Sequence, residues 1–442
     1  MLIGRTQSVC PVCLKVIPAD KMTGDGGYIY MKKTCPEHGS FSSLIWEGTL
    51  ASYMQWSLSG SVNEPPLNGK KKEKGCPYDC GLCEDHLRKG CCMLLELTNR
   101  CNLHCPVCFA SAGEKAPQDL TMRQIESQYD FLMSHGGPFN IQLSGGEPTV
   151  RDDLPEIIEL GKKKGFSFFQ LNTNGLRLAN EKGYAVQLKE AGLNTVFLQF
   201  DGLDDDIYMK LRGKPLLQEK LLAIHNCAAA GLGIVLVPVI APGVNDNSVG
   251  DLIRFAMEQM PAVRGVHFQP VSYFGRCGLG RPETPITIPA MLRLIEQQTD
   301  GFMSYQDFSG GGAENPYCSF HASYLLRKDG SLRALKKKTQ SCCCATTSDD
   351  SREYVAAQWN GEAEKYAFPE GEMTETSSLD RFLEEARKRT ISISGMIFQD
   401  AYNLDLDRLK RCYICEVDSR LGMVPFCAYN LTDVEGNYLY RK

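Results

Sequence analysis

The sequence predicts an α/β protein built on a partial (β/α)6 barrel. A cysteine-rich metal knuckle precedes the barrel and a cysteine-containing extension follows it. The first observation behind this is a rhythm. Strand-like runs at 93–98, 139–143, 166–171, 195–200, 233–240 and 265–271 alternate with helix-like segments near 121–135, 152–164, 182–191, 216–230 and 247–259. Six strands joined by helices form a parallel sheet. An open doubly wound sheet has the same rhythm, and periodicity and length leave both arrangements open. The second observation is where two motifs fall. CNLHCPVC (Cys101, Cys105, Cys108) follows the first strand, and Ser144-Gly145-Gly146-Glu147-Pro148 follows the second. Both sit at the C-terminal ends of strands, where barrels build their sites. The third is cysteine usage, with 20 cysteines grouped mostly in pairs and triplets of metal-ligand spacing.

Within the barrel segment, Thr121 and Asn247 are read as N-caps of the first and fifth helices. The chain divides by pattern into a knuckle at 1–45, a linker and auxiliary-cluster segment at 46–92, the barrel at 93–275, and a C-terminal auxiliary-cluster and substrate region at 276–442. After about residue 276 the strand–helix rhythm stops, apart from a helical stretch at 288–300.

A net charge of −5 gives no reason to expect a nucleic-acid partner. The short lysine runs at 70–74, 162–164 and 336–338 read as solvated faces. Residues 1–20 lack the apolar core of a signal peptide, and no stretch reaches the length of a membrane span. Metal-type cysteine sets without a secretory signal point to a reducing cytoplasm. Peripheral membrane contact stays open.

Each cysteine set has a chemical reading. Cys101, Cys105 and Cys108 can give three thiolates to a four-iron cluster, leaving one iron open for a substrate. A zinc knuckle or a purely structural cluster is the alternative. Cys10, Cys13, Cys35 and His38 form two ligand pairs able to fold two loops around one tetrahedral ion, zinc or a mononuclear iron. Cys76, Cys80 and Cys83 repeat the C-x3-C-x2-C spacing after a polar linker. They suit an auxiliary cluster with Cys91 or Cys92 as fourth ligand, or a zinc site with His86. Cys318, Cys412, Cys415 and Cys427 could hold a further cluster. Cys227 lies in an apolar helix and reads as a small buried residue. The run Cys342-Cys343-Cys344 cannot comfortably ligate one ion and has no assigned role.

The strings CNLHCPVC, SGGEPTVRDDLPEI, LNTNG, LQFDGLDDDIYMKLRGK, VLVPVIAPGVND and GVHFQPVSYFGR resemble radical S-adenosylmethionine (SAM) enzymes. CPVC…CPEHG, CPYDCGLC and PFCAYN resemble the branch of archaeal tetraether lipid synthases and dihydropterin methyltransferase-like proteins. The resemblance implies a 4Fe-4S cluster that binds SAM, and reductive cleavage of SAM to a 5′-deoxyadenosyl radical that abstracts hydrogen from an unactivated carbon. It implies cluster ligation by Cys101, Cys105 and Cys108. Gly145, Gly146 and Glu147 would meet the methionyl group. Asn172, Asn174, Gln199 and Asp201 would meet carboxylate, ribose or substrate. Val237 and Val239 would pack the adenine, which would also lean on Phe109, because Val107 replaces the usual aromatic residue. One or two auxiliary clusters and a ferredoxin- or flavodoxin-type electron donor follow from the same likeness.

Three functions are carried forward. The first is C–C bond formation or alkylation on a lipid or pterin-type substrate, which makes the chain transferase-like. The second is modification of a peptide. The third is a non-enzymatic iron–sulfur electron carrier, which leaves SGGEP unexplained.

Overall fold

The computed structural model describes residues 1–57, 63–113, 118–282, 284–312, 314–335, 347–360 and 386–441. Cys342–Cys344 and the lysine run at 336–338 lie outside the described residues.

The N-terminal unit is an antiparallel ribbon of β1 (Leu2–Val9), β2 (Val16–Thr23), β3 (Ile29–Cys35) and β4 (Gly39–Trp46), paired in that order. Alternation sets its faces: Ile29, Met31, Lys33 and Cys35 of β3 are buried while Lys32 and Thr34 are exposed. The turn at 10–15 and the turn between Cys35 and Gly39 lie at one end of the ribbon, and each carries cysteine. The ribbon docks on the segment 400–407. Thr6 Oγ1 donates to Asp405 Oδ1 at 2.7 Å, Lys21 pairs with Asp405 at 2.6 Å, and Lys33 Nζ donates to the Ala401 carbonyl at 2.7 Å.

The barrel segment contributes β5 (Cys92–Thr98), β6 (Val107–Cys108), β7 (Asn140–Gly145), β8 (Phe169–Thr173), β9 (Thr195–Gln199), β10 (Gly233–Val237), β11 (Val239–Ile240), β12 (Val263–Pro270) and β13 (Arg276–Cys277). Strands β5, β7, β8, β9, β10 and β12 pair side by side in chain order, and every pair is parallel. A doubly wound sheet reverses its strand order at a switch point. No reversal occurs here, which decides for the barrel-type path. Pro238 lacks an amide hydrogen and separates β10 from β11.

Helices cover the outer face. Thr121 caps the helix Met122–Ser134 in a reciprocal capping box with Gln124. Asn247 does not cap the helix Val249–Glu258. The N-cap is Ser248, which makes no side-chain cap bond. The Gly250 amide of that first turn instead donates to Gln298 Oε1 at 3.1 Å, so a distant helix satisfies it. Cys227 is buried in the core between helix and sheet, as its apolar context predicts.

The C-terminal region adds β14 (Ser319–Leu326), β15 (Leu332–Ala334), β16 (Thr390–Met396), β17 (Ile414–Asp418) and β18 (Gly422–Pro425). It extends both edges of the barrel sheet. β16 runs parallel to β12 and carries β14, while β17 runs parallel to β5 and carries β18. The edges that six strands would leave unpaired are thereby covered.

Candidate active site

The triplet occupies the loop between β5 and the helix Met122–Ser134, with β6 inside it. β6 pairs antiparallel with β13, so the segment after the last barrel strand pins the cysteine loop. Cys101, Cys105 and Cys108 are each half-buried. Cys101 and Cys105 pack beside Leu103, Tyr208 and Leu216. Burial pushes the Cys101 thiol up to about 12 and raises Cys105. Such thiols ionise readily only when a metal replaces the proton. Three soft donors on one short loop, sheltered but reachable, fit a four-iron cluster.

Gly145 and Gly146 do a specific job. Gly145 has φ of 123°, and a Cβ there would strike the Thr98 carbonyl; a Cβ on Gly146 would strike the Arg100 carbonyl. The close approach is to the chain entering Cys101. Gly146 N donates to Thr98 O at 2.7 Å and Glu147 N to Arg100 O at 2.9 Å. The two motifs are thus one unit, with β7's end clamping the root of the cysteine loop. Gly146→Ala is expected to cost about 2 kcal/mol through overpacking. Thermal denaturation should read that loss, and iron content per reconstituted chain should fall with it.

The Glu147 side chain is buried and almost fully used. Oε1 accepts from Thr149 N at 3.1 Å, Thr149 Oγ1 at 2.7 Å and Thr173 Oγ1 at 2.7 Å; Oε2 accepts from Asn174 N at 2.7 Å. It ties the end of β7 to the end of β8. Asn174 in turn donates to Asn102 Oδ1 at 2.7 Å, inside the cysteine loop. Asn172 donates to Gln142 Oε1 at 3.1 Å and accepts from Gln170 at 2.9 Å. Gln199 Oε1 accepts from Lys220 Nζ at 3.1 Å.

Asp201 departs from the sequence reading. Its carboxylate is fully buried and bidentate with Arg212 at 2.7 Å on each oxygen, and Oδ1 also accepts from Val239 N at 3.0 Å. It is committed to the fold rather than free for ribose. Arg212 also donates to Val107 O at 3.2 Å, between Cys105 and Cys108, and its charge draws the Cys105 thiol down against the effect of burial. Val237 is buried on the inner face and Val239 is partly buried beyond it. Phe109 is 37% exposed, with its ring 5.5 Å from that of Phe426.

Sequence reasoning missed Arg212, Lys220, Thr149 and Thr173. Arg212 closes a charged helix and looks like an ordinary C-terminal cation. Lys220 is fully buried and lowered to about 8 by that burial, yet a lysine in the first turn of the helix-like segment 216–230 gives no sign of burial in sequence.

The other cysteine sets separate clearly. Ligand atoms of Cys10, Cys13, Cys35 and His38 lie within 4.8 Å of one another, the spacing a single ion requires. Cys35→Ser should remove one metal equivalent by elemental analysis and unfold the ribbon, seen as loss of protease resistance at 1–46.

Cys76, Cys80 and Cys83 line one small pocket with His86. Cys91 and Cys92 do not line it. Cys92 opens β5, and its thiol meets Gln142 on the neighbouring strand. His86 is the better-placed fourth donor: Nε2–H donates to the Cys412 carbonyl at 2.8 Å, which leaves Nδ1 as the unprotonated nitrogen. Burial lowers its pKa to about 4, so the ring is neutral.

Cys318, Cys412 and Cys427 line a second pocket with Arg408, which donates to Cys318 Sγ at 3.5 Å. Cys415 does not line it. Strand parity on β17 turns Cys415 into the helix-facing core.

Residues 95–256 match the radical SAM superfamily, and residues 2–47 match the HMPTM N-terminal zinc ribbon domain. The chain is 35% identical over 473 aligned residues to the 7,8-dihydro-6-hydroxymethylpterin dimethyltransferase of Methanocaldococcus jannaschii, covering 96% of this chain and 93% of that protein. It is 34% identical to a probable GTP 3′,8-cyclase of Methanothermobacter thermautotrophicus, over 39% of this chain and 56% of that one. Among solved structures it is similar to SuiB of Streptococcus suis bound to S-adenosylmethionine, with 16% identity, 48% of this chain and 47% of that chain covered, and a TM-score of 0.41. No helix among the described residues is long and apolar enough to cross a membrane. The 35% identity spanning nearly the full length of both chains, together with the superfamily match over residues 95–256, shows that the chain is a radical SAM enzyme of the family that includes the M. jannaschii protein.

Proposed function

We propose that this enzyme methylates a reduced pterin, abstracting hydrogen from its reduced ring carbon so that a new C–C bond can form there. The observation that carries the reading is 35% identity across nearly the full length of both chains to a protein named for that activity. The inner face of the barrel supports it. Gln142, Gln170 and Asn172 form a hydrogen-bonded polar row, and Glu416 lies in register with it. Such a wall suits a small polar heterocycle; a long-chain lipid wants an apolar channel.

Cys101, Cys105 and Cys108 would hold the 4Fe-4S cluster. When bound, that group supplies the electron that cleaves SAM to methionine and the 5′-deoxyadenosyl radical. Gly145 and Gly146 bring the backbone close to the methionyl group, and Glu147 keeps a lone pair on Oε2 for its ammonium. Asn172, Asn174 and Gln199 face the ribose or substrate. Val237, Val239 and Phe109 cover the adenine. Asp201 and Arg212 set the loop rather than touch the cofactor.

Cys76, Cys80, Cys83 and His86 would hold one auxiliary centre, and Cys318, Cys412 and Cys427 another. Attaching a methyl group to a carbon radical requires a one-carbon donor as a second substrate and the removal or supply of one electron; the electron alone is a task for such centres. The ribbon takes zinc or one iron. A low-potential ferredoxin or flavodoxin in the cytoplasm is the reductant we assign. We retain the division at 45, 92 and 275, with the last part as auxiliary-centre and substrate region.

The test is isotopic. The reconstituted enzyme is given SAM, dithionite and 6-hydroxymethyl-7,8-dihydropterin deuterated at its reduced ring carbon. Deuterium should appear in 5′-deoxyadenosine. Abundant but unlabelled 5′-deoxyadenosine, with the pterin unchanged, would sink the pterin reading and leave the radical chemistry standing.

A further inference from the structure

Both oxygens of Glu416 are buried without a hydrogen-bond partner, and the residue is 1% exposed. An unpartnered buried carboxylate is costly, and a native fold keeps one only for a reason outside its own packing. Its direction is fixed by strand parity. Cys415 and Val417 pack into the core between sheet and helices, so Glu416 between them faces the barrel interior. There it sits opposite Leu94, and Leu94 opposite Gln142, so one buried leucine separates Glu416 from the polar row already described.

Its neighbours are already committed. Glu96, on the adjoining strand, pairs with Arg441 at 2.6 and 2.9 Å. Arg441 Nη2 also donates to Asn430 at 2.7 Å, and its guanidinium stands 6.0 Å from the Phe109 ring, just past Cys108. Arg441 Nε has no partner either, so the competing explanation is a structural Arg441–Glu416 pair. Burial first and the Glu96 charge second hold the Glu416 carboxyl well above the usual carboxylate range; Arg441 opposes them. A ligand supplying N–H donors would relieve all of this.

We propose that Glu416 is the substrate-recognising residue, its carboxylate accepting the two parallel N–H groups of a 2-amino-4-oxopyrimidine ring edge. That edge presents its donors side by side, as a guanidinium does, and a carboxylate accepts them in a bidentate pair. The inference rests on the pterin reading above and names the group that would enforce it. It also explains how the site discriminates: a ring with an oxygen in place of the 2-amino group leaves one carboxylate oxygen unpaired and is rejected.

The experiment measures anaerobic binding of 6-hydroxymethyl-7,8-dihydropterin and of its 2-oxo analogue to reconstituted holoenzyme, alongside SAM affinity and thermal unfolding, for wild type, Glu416→Gln and Glu416→Leu. Wild type should favour the 2-amino ring. Glu416→Gln should weaken binding of that ring roughly 10- to 100-fold and erase the preference. Glu416→Leu should also lose binding, yet unfold at the same temperature or higher, because a buried polar group without a partner has been removed. Equal pterin binding by wild type and Glu416→Gln overturns the proposal while the pterin reading stands. A marked fall in unfolding temperature for Glu416→Leu overturns it by making the carboxylate Arg441's structural partner. A parallel loss of SAM affinity overturns it by assigning the carboxylate to the cofactor. Absence of pterin binding by wild type overturns both this proposal and the reading it rests on.

Discussion

Cys105→Ala will abolish SAM cleavage. With two thiolates the loop cannot hold a four-iron cluster in a fixed orientation, and 5′-deoxyadenosine formation should fall at least about a thousandfold, about 4 kcal/mol in barrier terms. The loss should be local. The ribbon ligands Cys10, Cys13, Cys35 and His38 belong to a separate unit, so its metal should remain. Cys227→Ala is the matched control: a buried cysteine in helix packing whose removal costs a small cavity, about 1 kcal/mol, and no iron. Chromatographic 5′-deoxyadenosine assay with iron and zinc counts on each variant separates these outcomes. Equal iron loss in both variants would contradict the assignment of Cys105.

Arg212→Met carries the largest stability cost. It strands Asp201, which is wholly buried and loses both of its charge-assisted bonds. Breaking a buried pair from one side costs about 3–5 kcal/mol. Adding Asp201→Asn should recover part of that, since the charge is gone and a carbonyl oxygen remains for Val239 N. Recovery will be incomplete, because the Val107 carbonyl still lacks its donor inside the cysteine loop. Urea unfolding of the two variants checks the order. If Arg212→Met matches wild type within error, the pair does not brace the loop.

The barrel was legible because its signals are local. Each of the six strands is an apolar run next to its own helix, and both chemical motifs occupy the turn after a strand. Thr121 could be read as a cap because its partner Gln124 is three residues away. What could not be read depends on pairing across long stretches. β16 joins β12 from more than a hundred residues away, and β17 reaches back to β5. Without that register, nothing in Cys412-x2-Cys415 says that Cys412 lines a pocket while Cys415 enters the core. The same holds for the second triplet, where proximity in sequence favoured Cys91 or Cys92 and the fold offers His86, held by the Cys412 carbonyl. Asp201 shows the opposite failure. A polar residue at a strand end looked like a ligand, and its partner Arg212 was eleven residues on in a helix that resembles any charged surface helix.

The central claim is that the cluster on Cys101, Cys105 and Cys108 keeps one iron open to SAM. Mössbauer spectroscopy of the holoenzyme tests it most directly, with the cluster's open site selectively loaded with iron-57 and spectra taken before and after SAM is added. The predicted result is one iron-57 site whose isomer shift rises on SAM addition. A spectrum that SAM leaves untouched, from a sample whose iron content is confirmed, would contradict the claim.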